Sequence, residues 1–168
     1  MTLTRKRHYP QVATYKTPDE IVLALRFGTA WRPDPLKEAL DVMMSPRKMQ
    51  QRIDDKAAVL GDCDDHAIYW ATALLKSGIA ERAWLGTVWY QNANGKGTGH
   101  VVCVWERWNG ALYWSDYSVP QPFTSEWCWA RAVASRRQAK LIAAGYFQVM
   151  LRKSGEPRLC KRVHRKIF

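Results

Sequence analysis

Apolar residues in this chain first recur at helical spacing and then, beyond residue 80, alternate at strand spacing. From Thr17 to Leu25, TPDEIVLAL places a capping Thr before a Pro at the first helical position, with acidic residues in the first turn, which predicts a helix ending near Gly28. After WRPDP a second helix is expected from Pro35 to Met44, and Ser45-Pro46 opens a third with Met49 and Ile53 on one face. Gly61-Asp62 precedes CDDHAIYWATALLKSG, where Ala67, Trp70, Ala71, Leu74 and Leu75 share a helix face and Gly78 supplies the stop. Three strand-like runs follow, Arg82 to Gln91, His100 to Glu106 and Ala111 to Asp116, separated by NANGKGTG and RWNG, and they read as an antiparallel meander. Thr124 or Ser125 is the expected cap of a long basic helix ending at Gly145, and YFQVMLR and RLCKRVHRKIF read as two closing strands around a KSGEP turn. With no repeat and no clear linker, the pattern predicts one α+β domain over residues 1–168.

Composition narrows the class. The 168 residues are 47% apolar with nine Trp, enough for a core and unlike the signature of a disordered chain. No apolar run approaches the ~20 residues that cross a bilayer, and MTLTRKRHYP has no apolar stretch after its charges, so neither anchor nor export is expected and the location read is cytoplasmic. Cys63, Cys103, Cys128 and Cys160 match no zinc spacing and are too sparse for a disulfide scaffold, which implies free thiols. The net charge of +11 is uneven: +4 over residues 1–60, −2 over 61–120 and +9 over 121–168. A basic block at the end favours acidic partners such as nucleic acid, anionic lipid or an acidic protein, and also serves as a plain solubilising surface.

The chemistry-bearing stretch is Gly61-Asp62-Cys63-Asp64-Asp65-His66, which puts a thiol in the first turn of a helix, where the backbone carries about half a positive charge and favours thiolate. His100 opens the apolar strand VVCVW after a glycine-rich turn, and Asp116 ends the next strand, so antiparallel pairing brings the two together. In that arrangement His100 takes the thiol proton, Asp116 sets its tautomer, and the Cys-His pair is expected to be ionised before substrate arrives. His66, three positions after Cys63, competes for the role of base, but its imidazole would have to turn back over the helix start.

The segments GDCDDHAIYWATALLKSGI, GHVVCVWE and LYWSDYS, with gaps of 37 and 16 residues between Cys63, His100 and Asp116, resemble the transglutaminase-like, papain-related superfamily, and within it the bacterial transglutaminase-like cysteine proteinases. The resemblance spans about residues 45 to 118. It implies a papain-like, transglutaminase-like fold and a thiol peptidase or amidase acting through Cys63, His100 and Asp116, with no required cofactor. It also implies an oxyanion donor upstream of the nucleophile, for which Trp31, Gln50 and Gln51 are candidates, and calcium held by the acidic residues beside the nucleophile, Asp62 and Asp64 with Asp65 a weaker third. Met44-Ser45-Pro46-Arg47 departs from the family's Trp-x-Thr-Pro, and Asp64 stands where Glu is usual. An ion pair from a nearby Arg is the rival way to neutralise these carboxylates. The expected substrate is a protein or peptide, acidic if the basic tail docks it. The alternatives are transamidation by the same thioester, a non-catalytic member of the fold, and a nucleic-acid binder built on the basic tail and its aromatic residues, including the helix ARAVASRRQAK.

Overall fold

The computed structural model describes residues 9–31, 43–56 and 59–168. Its elements in chain order are α1 (Pro18–Gly28), β1 (Thr29–Trp31), α2 (Pro46–Asp54), β2 (Val59–Gly61), α3 (Cys63–Lys76), β3 (Arg82–Gln91), β4 (Gly97–Glu106), β5 (Leu112–Ser115), β6 (Gln121–Phe123), α4 (Cys128–Arg136), β7 (Lys140–Leu151) and β8 (Pro157–Ile167). The α+β class expected from the periodicity is the one observed. Six strands form an antiparallel sheet in the order β6-β5-β4-β3-β7-β8, and β1 and β2 make a small parallel pair.

The helix starts are set by local chemistry. At α1 the Glu20 N–H donates to Thr17 Oγ1 at 3.4 Å while the Glu20 carboxylate accepts from Lys16 N–H at 2.8 Å. At α2 the Ser45 hydroxyl accepts from Lys48 N–H at 3.3 Å, ahead of Pro46 in the first turn. The expected Pro35 to Met44 helix lies mostly outside the described residues, and Met43 and Met44, which are described, are not helical.

One turn chemistry closes three hairpins. Loops 92–96, 107–111 and 152–156 each place a glycine fourth, at φ +80°, with the first residue's N–H bonded to the fifth residue's carbonyl at 2.9–3.0 Å. The meander and the closing hairpin of the sequence reading therefore stand, in the pairings β3 with β4, β4 with β5 and β7 with β8.

The expected long helix to Gly145 does not. α4 covers only Cys128–Arg136, its first cap is Trp127 rather than Thr124 or Ser125, and Gln138 turns the chain at φ +51° into β7, which pairs along β3 from Gln91 to Ala83. Pairing a strand on the open edge of β3 outweighs the helix propensity of RRQAKLIAA.

Two cores lie on opposite faces of the sheet. On one face α3 packs with α1 and α2 against Ala83, Leu85, Cys103 and Trp105. On the other, α4 packs Trp129, Ala130 and Val133 against Val88, Tyr90, Val102, Val104 and Trp114. Gly86 makes the second packing possible, because a Cβ there would meet the Trp129 ring and Val104 at 2.8 Å.

Candidate active site

Cys63 begins α3, directly after the N-cap Asp62, so the helix start aims it at the sheet. Its sulfur accepts from the Val101 backbone N–H, next in chain to His100. Strand alternation puts Val101 on the α3 face and His100, with Val102 and Val104, on the α4 side. Asp116 follows Ser115, the last residue of β5, and its backbone carbonyl accepts from Trp70 Nε1 of α3 at 3.0 Å. From there its carboxylate brackets the imidazole: His100 Nε2 is 3.0 Å from both Asp116 oxygens. His100 is 6% exposed, so this contact is shielded from water.

The thiol is not poised as the sequence suggested. Burial pushes Cys63 up to about 11, and the charges of Asp62 and Asp64 add to that, against the opposing pull of the Val101 amide and its own amide. It is a protonated thiol at neutral pH. Desolvation and two neighbouring carboxylates outweigh the helix terminus, which accounts for the difference from the expected ion pair.

The acidic residues divide by role. Asp65 ties the helix start to the segment before α2, accepting from the Met44 N–H and, at 3.4 Å, from the Asp62 N–H. Asp62, Cys63 and Asp64 bring two carboxylate oxygens and the sulfur within 4.8 Å of one another, and one Asp62 oxygen is buried with no hydrogen-bond partner among the described residues. Calcium takes six to eight oxygens, so only the two carboxylates of this group suit it, with carbonyls or water required for the remainder. Asp65 stands outside the group.

Of the oxyanion candidates, Gln50 is buried and bonded within the helical layer: its Oε1 accepts from Ala13 N–H at 2.8 Å and from Tyr69 Oη at 2.6 Å, and its Nε2 donates to Asp54 at 2.7 Å. Because Tyr69 gives Gln50 its only proton, the 2.6 Å contact between the Tyr15 and Tyr69 hydroxyls has Tyr15 as donor. Gln51 is half-buried in α2, and Trp31 falls in β1 with its side chain outside the described part of the structure.

Three residues of the site were not singled out as partners from the sequence. Arg137, just past α4, puts Nη2 2.9 Å from His100 Nε2 and 3.7 Å from Asp116 Oδ2. Tyr90 lies under it, with the guanidinium carbon 5.9 Å from the ring centre. Tyr117 stands between two imidazoles, 6.1 Å from the His100 ring and 4.7 Å, edge to face, from His66. His66 is buried, neither ring nitrogen has a partner among the described residues, and burial pushes it down to about 4 against the pull of Asp116 and Asp62. It is neutral at pH 7 and borders the site rather than contacting Asp116 by a hydrogen bond.

The basic end of the chain presents few free aromatic faces. Arg136 lies 4.5 Å over Trp114, Arg131 is 5.6 Å and Lys166 5.3 Å from Phe168, and Trp127 packs on Trp129, Tyr146 and Phe168. The protein's own cations and rings lie against these aromatic residues, and this arrangement lends no support to a nucleic-acid binder. Among the described residues no helix is long and apolar enough to cross a membrane, and the four cysteines are free thiols.

No family model and no curated protein matches the chain. Among solved structures it is similar to Legionella pneumophila LapG, with 18% sequence identity and a TM-score of 0.44 over 78% of this chain and 66% of that one. It is likewise similar to calcium-bound LapG (18%, 0.44, 78% and 66%) and EGTA-treated LapG (19%, 0.43, 78% and 64%). The chain spans just under two thirds of the length of these structures.

Proposed function

We propose that the chain is a cysteine-dependent amide hydrolase, a peptidase or amidase of transglutaminase-like type built as a single domain. The observation that carries this reading is the imidazole of His100 held at 3.0 Å between both Asp116 oxygens, one residue from the amide that faces the Cys63 sulfur. Because the thiol is protonated at rest, His100 removes its proton as the sulfur attacks an amide carbonyl, and the imidazolium is stabilised by Asp116. The same proton then goes to the departing amine, leaving a thioester. Water, deprotonated by His100, releases the acid and restores the thiol. The Cys63 backbone N–H, at a helix start, is the available donor to the oxyanion.

Cys63→Ala is expected to abolish cleavage of a fluorogenic peptide library while leaving the circular dichroism spectrum and thermal midpoint near wild type. Cleavage at the wild-type rate by Cys63→Ala rejects the reading. Mass analysis with methylamine in the reaction reports the fate of the thioester: free acid means hydrolysis, methylamide means transfer.

Asp62 and Asp64 are proposed as a calcium position, where the ion would offset the two charges that oppose the thiolate. EGTA is then expected to lower the thermal midpoint and added calcium to restore it, and an unmoved midpoint under both treatments rejects the ion.

A further inference from the structure

The edge of β4 beside the thiol is open. Asn92 N–H bonds the Lys96 carbonyl at 3.0 Å and the register runs on without a break, so Thr98, His100 and Val102 turn their backbone groups to β3. Arg107 N–H bonds the Ala111 carbonyl at 2.9 Å, so Trp105 and Cys103 turn theirs to β5. β5 stops at Ser115, opposite Cys103. The next outward residue of β4, Val101, gives its N–H to the Cys63 sulfur. Gly99 and Gly97 follow at the same spacing. Both are exposed, and among the described residues no strand pairs with their outward N–H and carbonyl groups. An unpaired edge of this kind is a template for another extended chain. Here the template lies in line with the nucleophile, with Gly99 about 7 Å along β4 from Val101.

One face of this edge has a floor. Trp89, opposite Gly99 on β3, lays its indole across both glycines: a Cβ at Gly97 would stand 3.2 Å from the ring, and one at Gly99 3.3 Å. The missing side chains make room for it. Alternation puts Trp89, Gly97 and Gly99 on the same face as Val101, the face of α3. The ring is 53% exposed, so covering the glycines uses only part of it. A residue paired with Gly99 from outside projects its side chain on that same face, beside the indole.

Resting on the thiol-hydrolase reading above, we propose that the substrate adds to β4 as a short extended strand at Gly97 and Gly99, and that Trp89 is a specificity residue for an apolar or aromatic side chain opposite Gly99. Strand pairing then carries the substrate backbone to the sulfur within two residues of that side chain. The residue opposite Gly99 has to keep its N–H for the Gly99 carbonyl, so proline is refused there.

Two measurements test this. Scanned residue by residue, the fluorogenic library is expected to show one position within two residues of the cleaved bond where Pro is not accepted. There Phe and Leu exceed Ala in kcat/KM by roughly 10-fold, as for partial burial of a large apolar side chain. In Trp89→Ala that ratio falls to near one, in Trp89→Phe part of it stays, and the ratios at other positions remain as in the wild type. Amide exchange of 15N-labelled Cys63→Ala with the best-cleaved peptide of the library is expected to slow at Gly97 and Gly99 by roughly 10-fold or more, as for amides taken into hydrogen bonds. The same peptide carrying an N-methyl group at the preferred position loses that protection at Gly99. An unchanged Phe-to-Ala ratio in Trp89→Ala, or exchange at Gly97 and Gly99 that the peptide does not slow, overturns the proposal. The two readings fail separately. Full cleavage by Cys63→Ala rejects the hydrolase, and the ratio in Trp89→Ala still decides the subsite. An inactive Cys63→Ala beside an unchanged ratio in Trp89→Ala rejects the subsite alone. No cleavage by the wild type rejects both.

Discussion

On the α3 face, the sheet meets a helix whose buried residues run without a break from Asp64 to Leu74, with Trp70 and Tyr69 fully enclosed and a hydrogen-bond chain from Tyr15 through Tyr69 to Gln50. On the α4 face, a nine-residue helix covers only part of the strands, and exposed arginines lie over aromatic rings to complete the cover. The first face is closely packed and largely buried, and it delivers the Cys63 sulfur. The second is thinner and charged, and it delivers His100, Asp116 and Arg137.

Mutation can break or sharpen that contrast. The largest effect is expected from Trp70→Ala, which empties a fully enclosed site on the α3 face and removes the bond to the Asp116 carbonyl. Urea denaturation should show a loss of about 3–5 kcal/mol. A loss under about 1 kcal/mol would mean that this face is no more tightly packed than the other.

Next in size is the acid response of His66. Burial holds its folded value at about 4, below the unfolded 6.5, so the unfolded chain binds the proton first. Its contribution is complete above about pH 6.5 and is lost as the pH falls toward 4, by on the order of 3 kcal/mol. Denaturation in EGTA at pH 7.5 and 4.5 should show a larger drop for wild type than for His66→Phe, and equal drops would remove His66 as the cause.

Gly86→Ala probes the α4 face from within the sheet, where the new methyl meets Trp129 and Val104 at 2.8 Å. The expected cost is about 1–3 kcal/mol, visible as a lowered urea midpoint, because α4 has to shift outward. Arg136→Gln should be the mildest, about 0.5–1 kcal/mol for one exposed cation over Trp114, and a larger loss would show that the arginine cover is structural rather than supplementary.

Much of this was legible in residue order. Thr17-Pro18, Ser45-Pro46 and Asp62 announced three helix starts because a cap acts on its nearest neighbours. Gly95, Gly110 and Gly155 announced three turns for the same reason. The encounter of His100 with Asp116 could be read because one hairpin register decides it. What escaped depends on distant partners. RRQAKLIAA carries helical propensity, and nothing local reveals that β3 will pair with its second half. Strands β1, β2 and β6 have three residues each, too few for alternation to show. Arg137 is one of 26 cations, and its meeting with an imidazole 37 residues away follows from where α4 stops. The thiol misled for a related reason: a helix terminus is visible in sequence, but the desolvation that opposes it is a property of the packed whole.

The two outer strands of the large sheet bear on how copies of this protein behave in company. β6 carries Pro122 at its centre, which has no N–H to offer a newcomer. β8 is eleven residues long, yet it carries Arg158, Arg165 and Lys166, so two such borders laid side by side set like charges against each other. Part of the chain's positive excess thus doubles as a guard against strand-to-strand stacking, and that guard weakens as salt rises.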